Sequence, residues 1–136
     1  MNNSAGLRPG DALKSRYEQL SQILEELRRD NPGLDACAVV SGDGMPVAAV
    51  MPEGVDDLKI SAMAATLQGV AEQVVRELRG GGLKQLVAFG EREVLIIRSV
   101  NQDFTLVMVV RPDSKLGYAL WQARRASESL GKLLTP

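Results

Sequence analysis

From Ile60 to Ala71 the chain carries no charged side chain, inside a stretch that reads as one helix over about residues 57–79. Ile60, Met63, Ala64, Leu67, Ala71, Val74 and Leu78 recur at the three- and four-residue spacing of a stripe that packs on a core. The opposite face shows Leu58, Ala62, Ala65, Thr66 and Gly69, which are mostly small. A surface helix of a monomer normally carries charges there. An apolar helix with a small-residue back needs cover on both sides. The expectation is that the large stripe packs on the chain's own core and the small face meets a second helix, that of another copy.

The rest of the composition narrows function mainly by exclusion. At 136 residues the chain is one domain by default. Lysine and arginine total 16 against 17 acidic residues, for a net charge of −1. That balance lacks the basic stripe of a nucleic-acid footprint. Aromatics at 4% leave little for stacking bases. With no histidine, the usual general base, metal ligand and pH switch are all missing. The single cysteine, Cys37, sits in an apolar run and fits a reducing compartment. No apolar run approaches the ~20 residues of a membrane helix. No signal peptide is visible, so a cytoplasmic location is expected.

Residues 1–10 read as a flexible lead-in to a single domain over 11–136. A helix is predicted near Asp11–Asp30, with Asp11 as N-cap and Leu13, Tyr17, Leu20, Leu24 and Leu27 as its stripe. Asn31-Pro32-Gly33 stops it. Ala36–Ser41 and Met45–Met51 form a hairpin around Gly42-Asp43-Gly44, with Pro46 pointing to an edge strand. Asp56 or Asp57 caps the apolar helix, and Gly80-Gly81-Gly82 ends it. Strands follow at Leu83–Phe89, Glu93–Val100 and Phe104–Val110, then a helix near Lys115–Leu134 capped by Asp113 or Ser114. The first, fourth and fifth strands are apolar at nearly every position, so both sheet faces are covered. The fold class is α/β (α+β): α-β-β-α-β-β-β-α, with a five-stranded, mostly antiparallel sheet and helices on both faces.

This order resembles the roadblock (dynein light-chain-seven) domain, a relative of the longin and profilin-like folds. The resemblance covers about residues 16–134. It is carried by the Leu20–Leu27 helix, by Ala36-Cys37-Ala38-Val39-Val40 running into Gly42-Asp43-Gly44, by Ala62-Met63-Ala64-Ala65, and by Gly117-Tyr118-Ala119-Leu120. It implies two helices on one sheet face and one on the other. It also implies a homodimer whose third strands pair edge to edge and whose second helices pack together. Members bind small Ras-like GTPases, and an MglB-like bacterial branch regulates a gliding-motility GTPase. Pairing would cover the apolar edge at Leu83–Phe89, which is otherwise open to aggregation. On that basis the dimer or partner interface is expected at Leu58, Ala62, Ala65, Thr66, Gly69, Gln73, Leu83, Gln85 and Val87.

Sharper chemical readings of single residues are weaker than plain ones. Gly80-Gly81-Gly82-Leu83-Lys84 lacks the spacing, the following Ser or Thr and the helix of a phosphate loop. Cys37 has no histidine to activate it. Asp43, Glu53, Asp56 and Asp57 read as turn and cap residues. Arg92 lies on a hairpin tip, where it could reach a partner's phosphates, whereas Arg124 and Arg125 read as a solvated helix face. Tyr118 and Trp121 are expected to pack inward. No catalytic residue, cofactor or metal is implied, so the chain is expected not to be an enzyme. The reading is a homodimeric module that regulates a small Ras-like GTPase, with activation one form of that regulation. The alternatives are a structural adaptor without effect on nucleotide turnover, and a small-molecule sensor.

Overall fold

The computed structural model describes residues 9–135, with side chains from Arg16 onward. The elements are α1 (Pro9–Asp30), β1 (Leu34–Ser41), β2 (Pro46–Val50), α2 (Asp57–Glu77), β3 (Gln85–Phe89), β4 (Val94–Ser99), β5 (Phe104–Val110) and α3 (Leu116–Leu133). The helix α1 opens at Pro9, before the expected Asp11, and Pro suits a first helical position because it has no N–H to leave unpaired. Asp11 is therefore inside the helix and is not its N-cap residue. Of the expected lead-in, residues 1–8 lie outside the described residues, as does the side chain of Leu13.

The five strands form one sheet in the order β2-β1-β5-β4-β3, and every neighbouring pair is antiparallel. The strands expected to be covered on both faces, β1, β5 and β4, are the three central ones. Both β2, with Pro46, and β3 are edges. Side chains alternate between the faces along each strand, so the sheet has two cores. On one face Cys37, Val39, Ile96, Leu106 and Met108 meet Leu20, Leu24 and Leu27 of α1 and Ala119, Ala123 and Leu130 of α3. On the other, Ala38, Val40, Ile97 and Val107 meet Ala64 of α2. Each fully buried Leu or Met contributes roughly 1.5–3 kcal/mol. The α1/α3 side holds most of the large residues and so most of the stability.

A buried polar clip ties α1 to α3. Asn31 donates through Nδ2 to Gln122 Oε1 at 2.9 Å, and Gln122 Nε2 donates to the Leu27 carbonyl at 3.1 Å. Asn31 Oδ1 accepts the Gly33 N–H at 3.0 Å, satisfying the backbone where Pro32 ends the helix. The helix α3 is not capped as expected. Its N-cap is Lys115, with no side-chain cap bond. Ser114 Oγ instead donates to the Arg111 carbonyl at 2.7 Å, and the Asp113 carboxylate pairs with Arg111 at 3.7 Å. Both candidate caps are occupied by Arg111, which also holds Asp35 at 2.9 Å.

Candidate functional site: an apolar helix face beside a free sheet edge

Two local features set the position of α2. Asp56 is the N-cap, its Oδ1 accepting the Leu58 N–H at 3.0 Å. Gly44, in the β1–β2 turn, has φ +86°, and a Cβ there would stand 3.3 Å from Ala62 Cα. Only glycine allows both that backbone conformation and so close a helix. Farther along, Gln68 Nε2 donates to Ser99 Oγ at 2.8 Å, Thr105 Oγ1 donates to Gln68 Oε1, and Ser99 Oγ donates to the Leu83 carbonyl at 2.9 Å. The helix thus rests on the hairpin-turn end of the sheet through Ser61, Ala64, Ala65 and Gln68.

The expected orientation holds only in part. Of the large stripe, Ala64 packs on the chain's own core and Ile60 and Ala71 are half-buried. Met63, Leu67, Val74 and Leu78, with Val70 beside them, are instead 42% to 77% exposed, and the buried residues of α2 are Ser61 and Ala64. At about 100° per residue the stripe lies roughly a third of a turn from the Ser61–Ala64–Gln68 line. The sheet end under α2 offers Ser99 and Thr105, which satisfy the half-buried Gln68 side chain at little net cost. Small residues let the helix approach the sheet, and the bulky apolar ones are left outside.

The residues expected at the interface divide accordingly. Leu58, Ala62, Thr66, Gly69 and Gln73 are exposed on α2. Thr66 Oγ1 bonds back to the Ala62 carbonyl at 2.9 Å, and a Cβ on Gly69 would meet nothing within 4 Å. Ala65 is half-buried and packs against its own sheet. On β3, Gln85 and Val87 are half-buried, as is Leu83 just before the strand. The strand β3 pairs with β4 alone, so its other edge is unpaired among the described residues. Periodicity alone missed the exposed stripe. The signal for it was present in Gln68, whose side chain reaches polar partners, Ser99 and Thr105, only if its face lies on the turn end.

A groove of about 650 Å³ runs between α2 and the turns, lined by Gln68, Gly69, Glu72, Arg76, Asn101 and Asp103 among others. Its charges are largely used, with Arg76 pairing with Glu72 at 2.9 Å. It is not the apolar cavity a hydrophobic ligand would need. Gly80-Gly81-Gly82 connects α2 to β3, with the Gly80 N–H returning to the Val75 carbonyl at 2.8 Å. Asp43 accepts a hydrogen bond from Ser41. Arg92 is exposed in the β3–β4 turn, and Arg124 and Arg125 are exposed on α3. Tyr118 and Trp121 do not pack inward as expected. Ala119 and Ala123 hold α3 close to the sheet, and the two rings stack on each other outside, with Trp121 51% exposed.

Two ionisable groups sit in unusual surroundings. Burial pushes the Cys37 thiol up to about 12, with Glu25 adding to the effect and Arg28 opposing it. The thiol is buried and lies 3.6 Å from the Leu24 carbonyl, so Cys37 is a packing residue with no thiolate to offer. Glu93 is raised above its ordinary 4.5, first by desolvation and then by the Asp35 carboxylate, while Arg111 opposes the shift. The folded state therefore holds this proton more tightly than the unfolded one. Its contribution to stability is complete below about pH 4.5 and is lost as pH rises through the folded value. Glu93→Gln is expected to remove that loss, leaving a higher denaturant midpoint than the parent near neutral pH and little difference in mild acid. Urea melts of both proteins at the two pH values check this, and equal midpoints near neutrality would show that the carboxylate pair costs nothing.

Among the described residues no helix is long and apolar enough to cross a membrane. The Roadblock/LC7 domain profile matches residues 20–110. Two uncharacterised proteins of Methanocaldococcus jannaschii are similar in sequence. One is 28% identical over 113 residues, covering 82% of this chain and 96% of the relative. The other is 30% identical over 101 residues, covering 74% and 82%. Among solved structures, MglB with a tetrameric arrangement superposes with a TM-score of 0.81 at 21% identity, over 87% of this chain and 89% of that one. The gliding protein MglB of Thermus thermophilus gives 0.78 at 21% identity, over 87% and 90%. A Roadblock/LC7 domain of Streptomyces avermitilis gives 0.80 at 14% identity, over 85% and 98%. With the profile spanning most of the chain and the same sheet-and-helix layout throughout, this protein belongs to the Roadblock/LC7 domain family.

Proposed function

We propose that the chain works as a homodimer that binds a small Ras-like GTPase and regulates its nucleotide cycle. The observation that carries this reading is the exposed stripe Met63, Leu67, Val70, Val74 and Leu78 on α2, together with a β3 edge that is unpaired among the described residues. A contiguous apolar line of this kind on an otherwise ordinary surface marks a contact site. The proposed interface keeps Leu58, Ala62, Thr66, Gly69, Gln73, Leu83, Gln85 and Val87 and adds the stripe. It drops Ala65, which is spent on the chain's own sheet. The likeness in fold to MglB structures supports a regulatory role.

The chain itself is proposed to be non-catalytic. It would act by preferring one nucleotide state of its partner, shifting the switch by the difference in binding energy. The test is single-turnover GTP hydrolysis by the Ras-like GTPase encoded nearest the gene, with binding measured in parallel in both nucleotide states. Expected are nucleotide-dependent binding and faster turnover. Equal binding in both states with unchanged turnover would make the chain an adaptor and end the regulatory reading.

A further inference from the structure

Trp121 is the only tryptophan in the chain, and it stands between two grooves. On the α1 side it stacks with Tyr118 at 5.7 Å between ring centroids, and the Arg125 guanidinium lies 5.4 Å from its ring. On the other side is a groove of about 260 Å³ lined by Gln85, Arg98, Leu120, Trp121 and Arg124. Arg98 Nε is enclosed with no acceptor, while Nη1 donates to Gln85 Oε1 at 3.2 Å. Among the described residues neither Arg98 nor Arg124 forms an ion pair. A guanidinium nitrogen enclosed without an acceptor is costly, and an aromatic face over the group is one thing that can relieve it.

The sheet register shows where such a face can come from. Gln85 pairs with Arg98, Val87 with Ile96 and Phe89 with Val94, so all three β3 side chains lie on the α1/α3 side. Phe89 is left 71% exposed by its own chain. Two antiparallel β3 strands related by a two-fold axis at Val87 bring Phe89 of one copy opposite Gln85 of the other, on the same face. We propose that the second copy's Phe89 seats in this groove, against Gln85, Trp121 and the Arg98 and Arg124 guanidiniums. Each protomer then completes the groove of the other. This rests on the β3-edge dimer proposed above and adds its register and its aromatic anchor.

Because Trp121 is the single tryptophan, the emission comes from one residue, and that residue borders the groove. The experiment is a dilution series of the full chain, followed by sedimentation for the dimer constant and by Trp121 emission. Emission is expected to move to shorter wavelength as the dimer forms. Phe89→Ala, at a side chain mostly exposed in the protomer, is expected to weaken the dimer at least ~10-fold and to abolish the shift. A dimer that forms without any change in emission, with the same constant in the variant, overturns the Phe89 seat and leaves the dimer standing. A shift that persists in Phe89→Ala also overturns it. Absence of a dimer at every concentration overturns both readings.

Discussion

Replacing Leu67 and Val74 together by Glu is expected to leave the chain monomeric. Both side chains lie on the outer stripe of α2, 42% and 53% exposed, so the protomer itself loses little packing. Glu is a good helix former, which keeps the cost to α2 small. In a two-fold interface each substitution is present twice. Four apolar side chains worth roughly 1.5–3 kcal/mol each when fully covered are then replaced by four carboxylates that must be desolvated or repel one another. The dimer constant should weaken by about a thousandfold or more, with a thermal midpoint within a few degrees of the parent at low concentration. Sedimentation equilibrium and thermal melts read the two quantities separately. If the double variant dimerises like the parent, the stripe is not the interface, and the proposed platform loses its main support.

The second large effect is expected at Gly44. Its φ of +86° is one that β-branched residues rarely adopt, and its Cα hydrogens face the backbone of α2 at Ala62. Gly44→Val combines a backbone strain of about 1–3 kcal/mol with overpacking of similar size. The turn or the helix must move, and a loss of about 3 kcal/mol or more in unfolding free energy is expected. Gly54, with φ +84° and nothing within 4 Å of where a Cβ would stand, isolates the backbone part. Gly54→Ala should therefore cost only the strain, near ~1 kcal/mol. Urea denaturation of both variants separates the two contributions, and equal losses would mean that the close approach of α2 to the turn does not matter.

Local pattern was informative wherever a segment's surroundings could be inferred from its own residues. The apolar density of β1, β4 and β5 marked them as strands covered on both faces, because only doubly covered strands tolerate apolar residues at successive positions, and in the sheet they are the three central strands. Pro46 pointed to an edge, since it cannot donate in the middle of a ladder. Asp56 was among the two residues named as caps for α2. The ends of α3 were harder. Asp113 and Ser114 are both good cap residues, and nothing local reveals that Arg111, reaching back to Asp35, engages them first.

The orientation of α2 shows most clearly where local reasoning runs out. A helix with apolar residues on more than one face has no unique inward side by periodicity alone. The charge-free run from Ile60 to Ala71 gave the expectation that α2 is covered on both sides. Which side meets the chain's own sheet was decided by distant groups: Gly44 opening space for Ala62, and Ser99 and Thr105 waiting for Gln68. The same holds for Trp121, which stands outside because Ala119 and Ala123 hold α3 close to the sheet. Composition and periodicity determined the elements and their order, because these depend on residues within a few turns or strands of each other. Which face of α2 remained uncovered depended on hydrogen bonds and close contacts between residues up to 37 positions apart, as in Gln68 and Thr105, and only the folded chain brings those together.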